Sequence, residues 1–135
     1  MPTDSRTTVS DPLIAQAVHR VWGFDSLRPM QELAINAGVE GRDCLTVLPT
    51  GGGKSLCYQV PALVTGKVTI VASPLIALMR DQVRGLELNG YGAAALHSGV
   101  EPEEAREIIT KAFDGSINLI FAAPERLVTP GFKTI

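Results

Sequence analysis

The chain has 135 residues, 45% of them hydrophobic and 19% charged, with a formal net charge of −2. That length suffices for one domain and not for two, and the composition excludes a largely disordered chain, which needs low hydrophobicity and high net charge. The mild acidity argues against a compact basic nucleic-acid module but leaves room for a local basic strip.

Residues 1–10 are polar and expected to form a flexible N-terminus without the apolar run of a secretory signal. Asp11 can cap a helix that has Pro12 at its first position. Ile14, Val18, Val21 and Trp22 then share one helical face, and Gly23 is the expected stop. A second helix is predicted from Pro29, with Met30, Leu33, Ala34 and Ala37 at helical spacing and Gly41 as its stop. Residues 43–48, Asp-Cys-Leu-Thr-Val-Leu, read as a short buried strand, followed by a Gly-rich loop and a helix from about Lys54.

Val60 to Met79 carries a single charge, Lys67, over twenty residues, long enough for a membrane span. Pro61, Gly66 and Pro74 interrupt it, so a β-branched strand over 68–73 between two helices accounts for it better. The helix after Pro74 presents Ile76, Met79, Val83 and Leu86 and stops at Asn89-Gly90. Residues 93–96 read as a short strand. Residues 101–113 form the clearest helix, with Ala105, Ile108, Ile109, Ala112 and Phe113 on one face, Glu101, Glu103 and Glu104 at the start, Lys111 near the end and Gly115 after it. Residues 117–123 are a further buried strand. Apolar strands alternating with helices predict an α/β fold with a parallel sheet and helices on both faces. Residues 11–135 read as one such unit, truncated at its C-terminal end.

Cys44 and Cys57 are the only cysteines, and His19 and His97 lie too far from them in sequence for a zinc set. Two buried, reduced thiols of a cytosolic protein are expected in preference to a redox pair.

The segment Pro49-Thr50-Gly51-Gly52-Gly53-Lys54-Ser55 falls between a predicted strand and a predicted helix, as a phosphate-binding loop requires. Glycines allow close backbone approach, and their N–H groups can ring phosphate oxygens at the positive end of the following helix. Lys54 would reach the β- and γ-phosphates, and the Ser55 hydroxyl would ligate Mg²⁺. The strict pattern G-x-x-x-x-G-K-[ST] fails at its first position, which is Leu48. A Gly-rich turn that happens to precede a lysine is the plain alternative.

Residues 41–63, GRDCLTVLPTGGGKSLCYQVPAL, resemble motif I of the RecQ-family DNA helicases of superfamily 2. GFDSLRPMQ (23–31) resembles their motif 0, ASPLIALMRDQV (72–83) motif Ia and FAAPERL (121–127) motif Ib, in the family's order. The resemblance implies a P-loop NTPase fold of RecA-like type, of which residues 11–135 would be the N-terminal portion of the first ATP-binding domain. It also implies ATP with Mg²⁺ as cofactors, single-stranded and duplex DNA as partners, no membrane, and a cytoplasmic location, nucleoid-associated in a bacterium. The implied activity is 3′→5′ unwinding in recombination and repair.

The same resemblance suggests roles for individual residues. Phe24 would stack on adenine, Arg28 would pack against the base and Gln31 would bond its edge; an amide can match a donor–acceptor edge. Ser73, Arg80 and Arg126 would contact phosphates of single-stranded DNA, which positions a strand without reading bases. The plain alternatives are a core aromatic, solvated charges and an exposed helix residue. Glu125 would orient its loop, and His97 reads as a loop histidine. The family's Asp-Glu-Ala-His motif would complete the Mg²⁺ site and activate water, yet the sequence has no Asp-Glu pair. A non-catalytic nucleotide-binding fragment and a superfamily 2 RNA helicase are the rival readings.

Overall fold

In the computed structural model, which describes residues 7–8, 11–49 and 53–128, two compact units divide between Thr65 and Gly66. The first opens with strand β1 (Thr7–Thr8), a β-branched pair inside the segment expected to be flexible. Helix α1 (Pro12–Trp22) starts at Asp11, whose Oδ1 accepts from the Leu13 N–H at 2.9 Å and the Ile14 N–H at 3.5 Å. It ends at Gly23, whose φ of +73° lets its N–H turn back to the His19 carbonyl. Strand β2 (Ser26–Leu27) then pairs antiparallel with β1, Thr7 opposite Leu27 and Thr8 opposite Ser26.

Helices α2 (Pro29–Glu40) and α3 (Leu56–Thr65) complete this unit. Ile14, Val18, Leu27, Ile35, Leu56 and Val60 form its core, and each fully buried aliphatic side chain there contributes roughly 1.5–3 kcal/mol. The buried stripe of α2 is not the predicted one. Ala34 and Ala37 are inside, but Met30 and Leu33 are exposed, and Gln31 and Ile35 take the remaining places. The buried residues are 31, 34, 35 and 37, and the first of them, a glutamine, does not score as apolar. Gly38 lets α3 come close: a Cβ there would stand 2.8 Å from Cγ of Pro61.

Residues 42–49 form neither helix nor strand, so the strand expected at 43–48 is not made. Leu45 is 91% and Val47 79% exposed. An apolar run becomes a strand only where a neighbour supplies ladder hydrogen bonds, and none pairs with it among the described residues. Cys44, expected to be buried, is exposed for the same reason.

In the second unit, strands β3 (Thr69–Ala72), β4 (Ala93–Leu96) and β5 (Leu119–Ala122) form a parallel sheet in the order β3-β5-β4. Thr69 and Ala93 both stand level with Leu119, and Ala72 and Leu96 with Ala122. Helix α4 (Ile76–Leu88) connects β3 to β4 and packs against β4, burying Met79 and Leu86. Helix α5 (Pro102–Phe113) connects β4 to β5 and buries Ala105 and Ile108 in a core with Ala94, Leu96, Ile120 and Ala122. All four residues of β5 are buried, as the α/β prediction of a covered sheet requires, whereas Ile70 and Ala72 of β3 are exposed. Phe113, placed on the inner face of α5 by its spacing, is 74% exposed, because that face ends at half-buried Ala112. A four-residue helix α6 (Pro124–Leu127) closes the described part. The apolar stretch 60–79 resolves into α3, β3 and the start of α4, and among the described residues no helix is long and apolar enough to cross a membrane.

Candidate nucleotide and nucleic-acid site

The first unit holds the predicted nucleotide residues. Phe24 is 38% exposed in the turn after α1. Arg28 is half-buried at the N-cap of α2 and Gln31 is buried three residues on. Gln31 spans two segments. Its Oε1 accepts from the Arg28 N–H at 3.0 Å, and its Nε2 donates to the Gly53 carbonyl at 3.1 Å. Motif 0 and the Gly-rich loop are thereby tied through one amide. A primary amide has two N–H groups and two carbonyl lone pairs, and these two bonds engage one of each.

Gly53 has φ +78°, and a Cβ there would fall on Gln31 Nε2. The position therefore requires glycine on both conformational and steric grounds. Lys54 is exposed and Ser55 half-buried, just ahead of α3. The first bonds of that turn run from the Cys57 N–H to the Lys54 carbonyl and from the Tyr58 and Gln59 N–H groups to Ser55. Helices leave the N–H groups ahead of these first bonds for an outside acceptor. A tight glycine corner, an exposed ammonium and a hydroxyl at a helix start fit a nucleotide phosphate with Mg²⁺. Pro49 is exposed. Thr50, Gly51 and Gly52, also assigned to the loop, lie outside the described residues.

Cys44 and Cys57 are both reduced and both line a cavity of about 410 Å³, together with Gly38, Asp43, Thr46 and Tyr58. Burial pushes the Cys57 thiol above its ordinary range, and negative charge on Cys44 pushes it the same way. The sequence separation of thirteen positions carried no sign of this shared wall.

In the second unit, the chain segments leaving the three strands meet at one end of the sheet. The Ser73 N–H donates to the Ala122 carbonyl at 3.0 Å, and the Ala123 N–H donates to the Leu96 carbonyl at 2.9 Å. Ligands of open α/β sheets bind at this carboxyl end. Ser73 is half-buried there and its Oγ accepts from the Leu75 N–H at 3.3 Å. Arg126 is half-buried on α6, immediately after β5. Glu125, its neighbour, is exposed. Arg80 is exposed on the second turn of α4 and lines a groove of about 510 Å³ with Arg84, Glu87, His97, Glu104 and Lys111. His97 is buried, and its Nδ1 accepts from the Gly99 N–H at 3.1 Å, a brace for the loop after β4.

A model of the DEAD/DEAH box helicases matches residues 28–133. The ATP-dependent DNA helicase RecQ of Haemophilus influenzae is 41% identical over 92% of this chain and 20% of its own length. The ATP-dependent DNA helicase Q-like 5 of Arabidopsis thaliana is 42% identical over 96% of the chain and 14% of its own. The crystal structure of the DUF1998 helicase MrfA bound to DNA superposes on 91% of the chain and 19% of its own length, with a TM-score of 0.71 and 23% identity, a likeness of fold. The chain thus spans about a fifth or less of the length of these relatives. The chain belongs to the DEAD/DEAH box helicase family, on its RecQ branch.

Proposed function

We propose that this chain carries the ATP-gripping part and the first DNA-gripping loops of a helicase that moves 3′→5′ on single-stranded DNA. The observation that carries the reading is the Gln31–Gly53 bond, which ties the segment resembling motif 0 to the Gly-rich loop. Phe24 supplies a flat face for adenine, Arg28 packs beside it, and Gln31 would bond the base edge. Pro49 and Gly53, with Thr50, Gly51 and Gly52 assigned by the resemblance to motif I, would take the phosphates, and Lys54 would balance charge on the terminal ones. Ser55 would hold Mg²⁺, which when bound neutralises charge on the β- and γ-phosphates. Ser73, Arg80 and Arg126 lie on the connections that leave the strands and would hold DNA phosphates without reading sequence. The cytoplasm, or the nucleoid of a bacterium, is the expected place of action.

Hydrolysis needs a carboxylate pair to complete the metal site and orient water. The sequence contains no Asp-Glu pair, so the chain alone is expected to bind Mg-ATP weakly and to unwind nothing. Titration of the chain with a fluorescent ATP analogue, with Lys54→Ala as control, tests the site. Equal binding by both would remove the phosphate-loop role, and duplex separation by the chain alone would overturn the expected inactivity. Anisotropy with single-stranded DNA and RNA of one sequence separates the DNA reading from an RNA-helicase reading.

A further inference from the structure

Strand β4 forms an edge of the parallel sheet, since among the described residues it pairs with β5 on one side and with nothing on the other. The Gly92 and Leu96 carbonyls accept from the Asn118 and Ala123 N–H groups, respectively. Backbone groups alternate between the two sides of a strand, so Ala93 and Ala95 direct theirs to the open side. That side meets the groove of about 510 Å³ walled by α4 and α5, which Ala93, Ala94 and Ala95 line. Ala94 and Leu96 share a core with α5. Ala93 and Ala95 therefore face the opposite side of the sheet, where right-handed crossovers place α4.

Ala93 is 4% and Ala94 8% exposed, so this edge lies at the bottom of the groove and not at its rim. The β4 strand of a second copy is equally recessed and cannot reach it, whereas a single extended segment can. The wall charges are exposed and divided: Arg80 and Arg84 stand on α4, and Glu104 and Glu107 on α5, with Glu87 and Lys111 reversing the signs at the far end. Glu107 is paired with Lys111 at 3.1 Å, while Arg84 and Glu104 make no ion pair among the described residues. Cations and carboxylates balance in this groove, which does not favour a polyanion. Charged side chains can simply guard an edge against pairing, but a guard needs no division of sign between walls. Successive side chains of a strand point to opposite faces. A segment that alternates acidic and basic residues would thus meet a cation on one wall and a carboxylate on the other.

We propose that the open edge of β4 is a docking groove for an extended segment of a partner protein. The segment alternates acidic and basic residues and adds to the sheet as a further strand. Its main chain bonds the N–H and C=O groups of Ala93 and Ala95. Arg84 and Glu104 anchor its side chains, and Arg80 keeps the DNA contact proposed for it.

The probe is a fluorescein-labelled peptide, Thr-Val-Glu-Lys-Glu-Lys-Val-Thr, titrated with the full chain and followed by anisotropy. Saturable binding is expected. The isomer Thr-Val-Glu-Glu-Lys-Lys-Val-Thr, which mixes the signs on each face, should bind at least fivefold more weakly. Arg84→Glu and Glu104→Lys lie on exposed helix faces and should each weaken binding of the first peptide about tenfold. Two further peptides carry N-methyl groups, one on both Glu and the other on both Lys. One of them should lose binding, because alternate N–H groups face β4 in an added strand. No saturable binding of the first peptide, or equal binding by the parent and both methylated forms, would overturn the proposal. Displacement of the peptide by single-stranded DNA, with Arg84→Glu weakening both ligands, would give the groove to nucleic acid instead. Sedimentation of the free chain as a dimer that Arg84→Glu dissociates would give it to a second copy.

Discussion

The side-chain amide of Gln31 and the carbonyl of Gly53, twenty-two residues apart, are joined by a 3.1 Å hydrogen bond inside the first unit. Gln31 is 5% exposed, so neither of its bonds is readily replaced by water. Gln31→Ala leaves the Gly53 carbonyl and the Arg28 N–H without it, and should cost about 1–3 kcal/mol of stability, read by urea denaturation. Gln31→Glu is the sharper variant, because it sets a carboxylate oxygen against a carbonyl where a donor stood. It should weaken binding of an ATP analogue more than it lowers stability. If both variants discriminate ATP from GTP as well as the parent does, Gln31 does not read adenine.

Gly53→Ala forces a side chain into a left-handed backbone and onto Gln31 Nε2. The conformational part alone costs about 1–2 kcal/mol. Nucleotide binding should fall together with thermal stability, and a variant that keeps both would show that the corner is not needed.

Lys54→Ala differs in kind. The side chain is exposed, so stability should stay within about 0.5 kcal/mol of the parent while affinity for the ATP analogue collapses. Built into a full-length helicase, the same change should abolish DNA-stimulated turnover, and an unchanged kcat would contradict the assignment.

Two further glycines should respond in opposite directions. Gly38→Ala meets Pro61 Cγ at 2.8 Å and Pro61 Cβ at 3.0 Å, across the α2–α3 contact, and overpacking of this kind costs about 1–3 kcal/mol. Gly85 lies inside α4 with open space around it, so Gly85→Ala should stabilise by about 0.5–1 kcal/mol. Chemical denaturation of the two variants side by side measures both.

Asp114 follows α5, and its Oδ1 accepts from the Ser116 N–H at 2.8 Å. The Ser116 side chain first, then its backbone N–H, holds this carboxyl below its ordinary value. A folded-state value below the unfolded one means that the contribution is complete above the unfolded value. It is lost as pH falls through the folded value. Asp114→Ala should therefore flatten the acid limb of a stability–pH curve below about pH 4, lowering stability by a constant amount near neutrality and converging with the parent in acid. An identical acid limb in the variant would show that the turn carries no linkage.

The sequence made most helix limits legible, because caps are local. Asp11, Gly23 and Gly41 marked ends that the structure reproduces, and the strand at 93–96 is exact. The chain failed to announce what depends on distant partners. The apolar run 43–48 has the composition of a strand but no paired neighbour among the described residues. The stripe of α2 was misjudged because a buried glutamine belongs to it while Met30 and Leu33 stay exposed. The candidate site was readable only as a set of residue types in order. The Gln31–Gly53 tie and the shared wall of the two cysteines are three-dimensional facts, and nothing in their spacing encodes them.

The sheet order has a consequence for how the second unit is made. Both ladders run through β5, since β3 and β4 each pair with it and not with each other. The strand at the centre is thus the last of the three to be synthesised. Until residues 119–122 emerge, neither earlier strand has the partner it uses in the finished sheet, and α4 and α5 have only part of a surface to settle on. A chain released short of Leu119 would lack the whole sheet rather than one edge of it, so this unit depends on its final strand as an arch depends on its keystone.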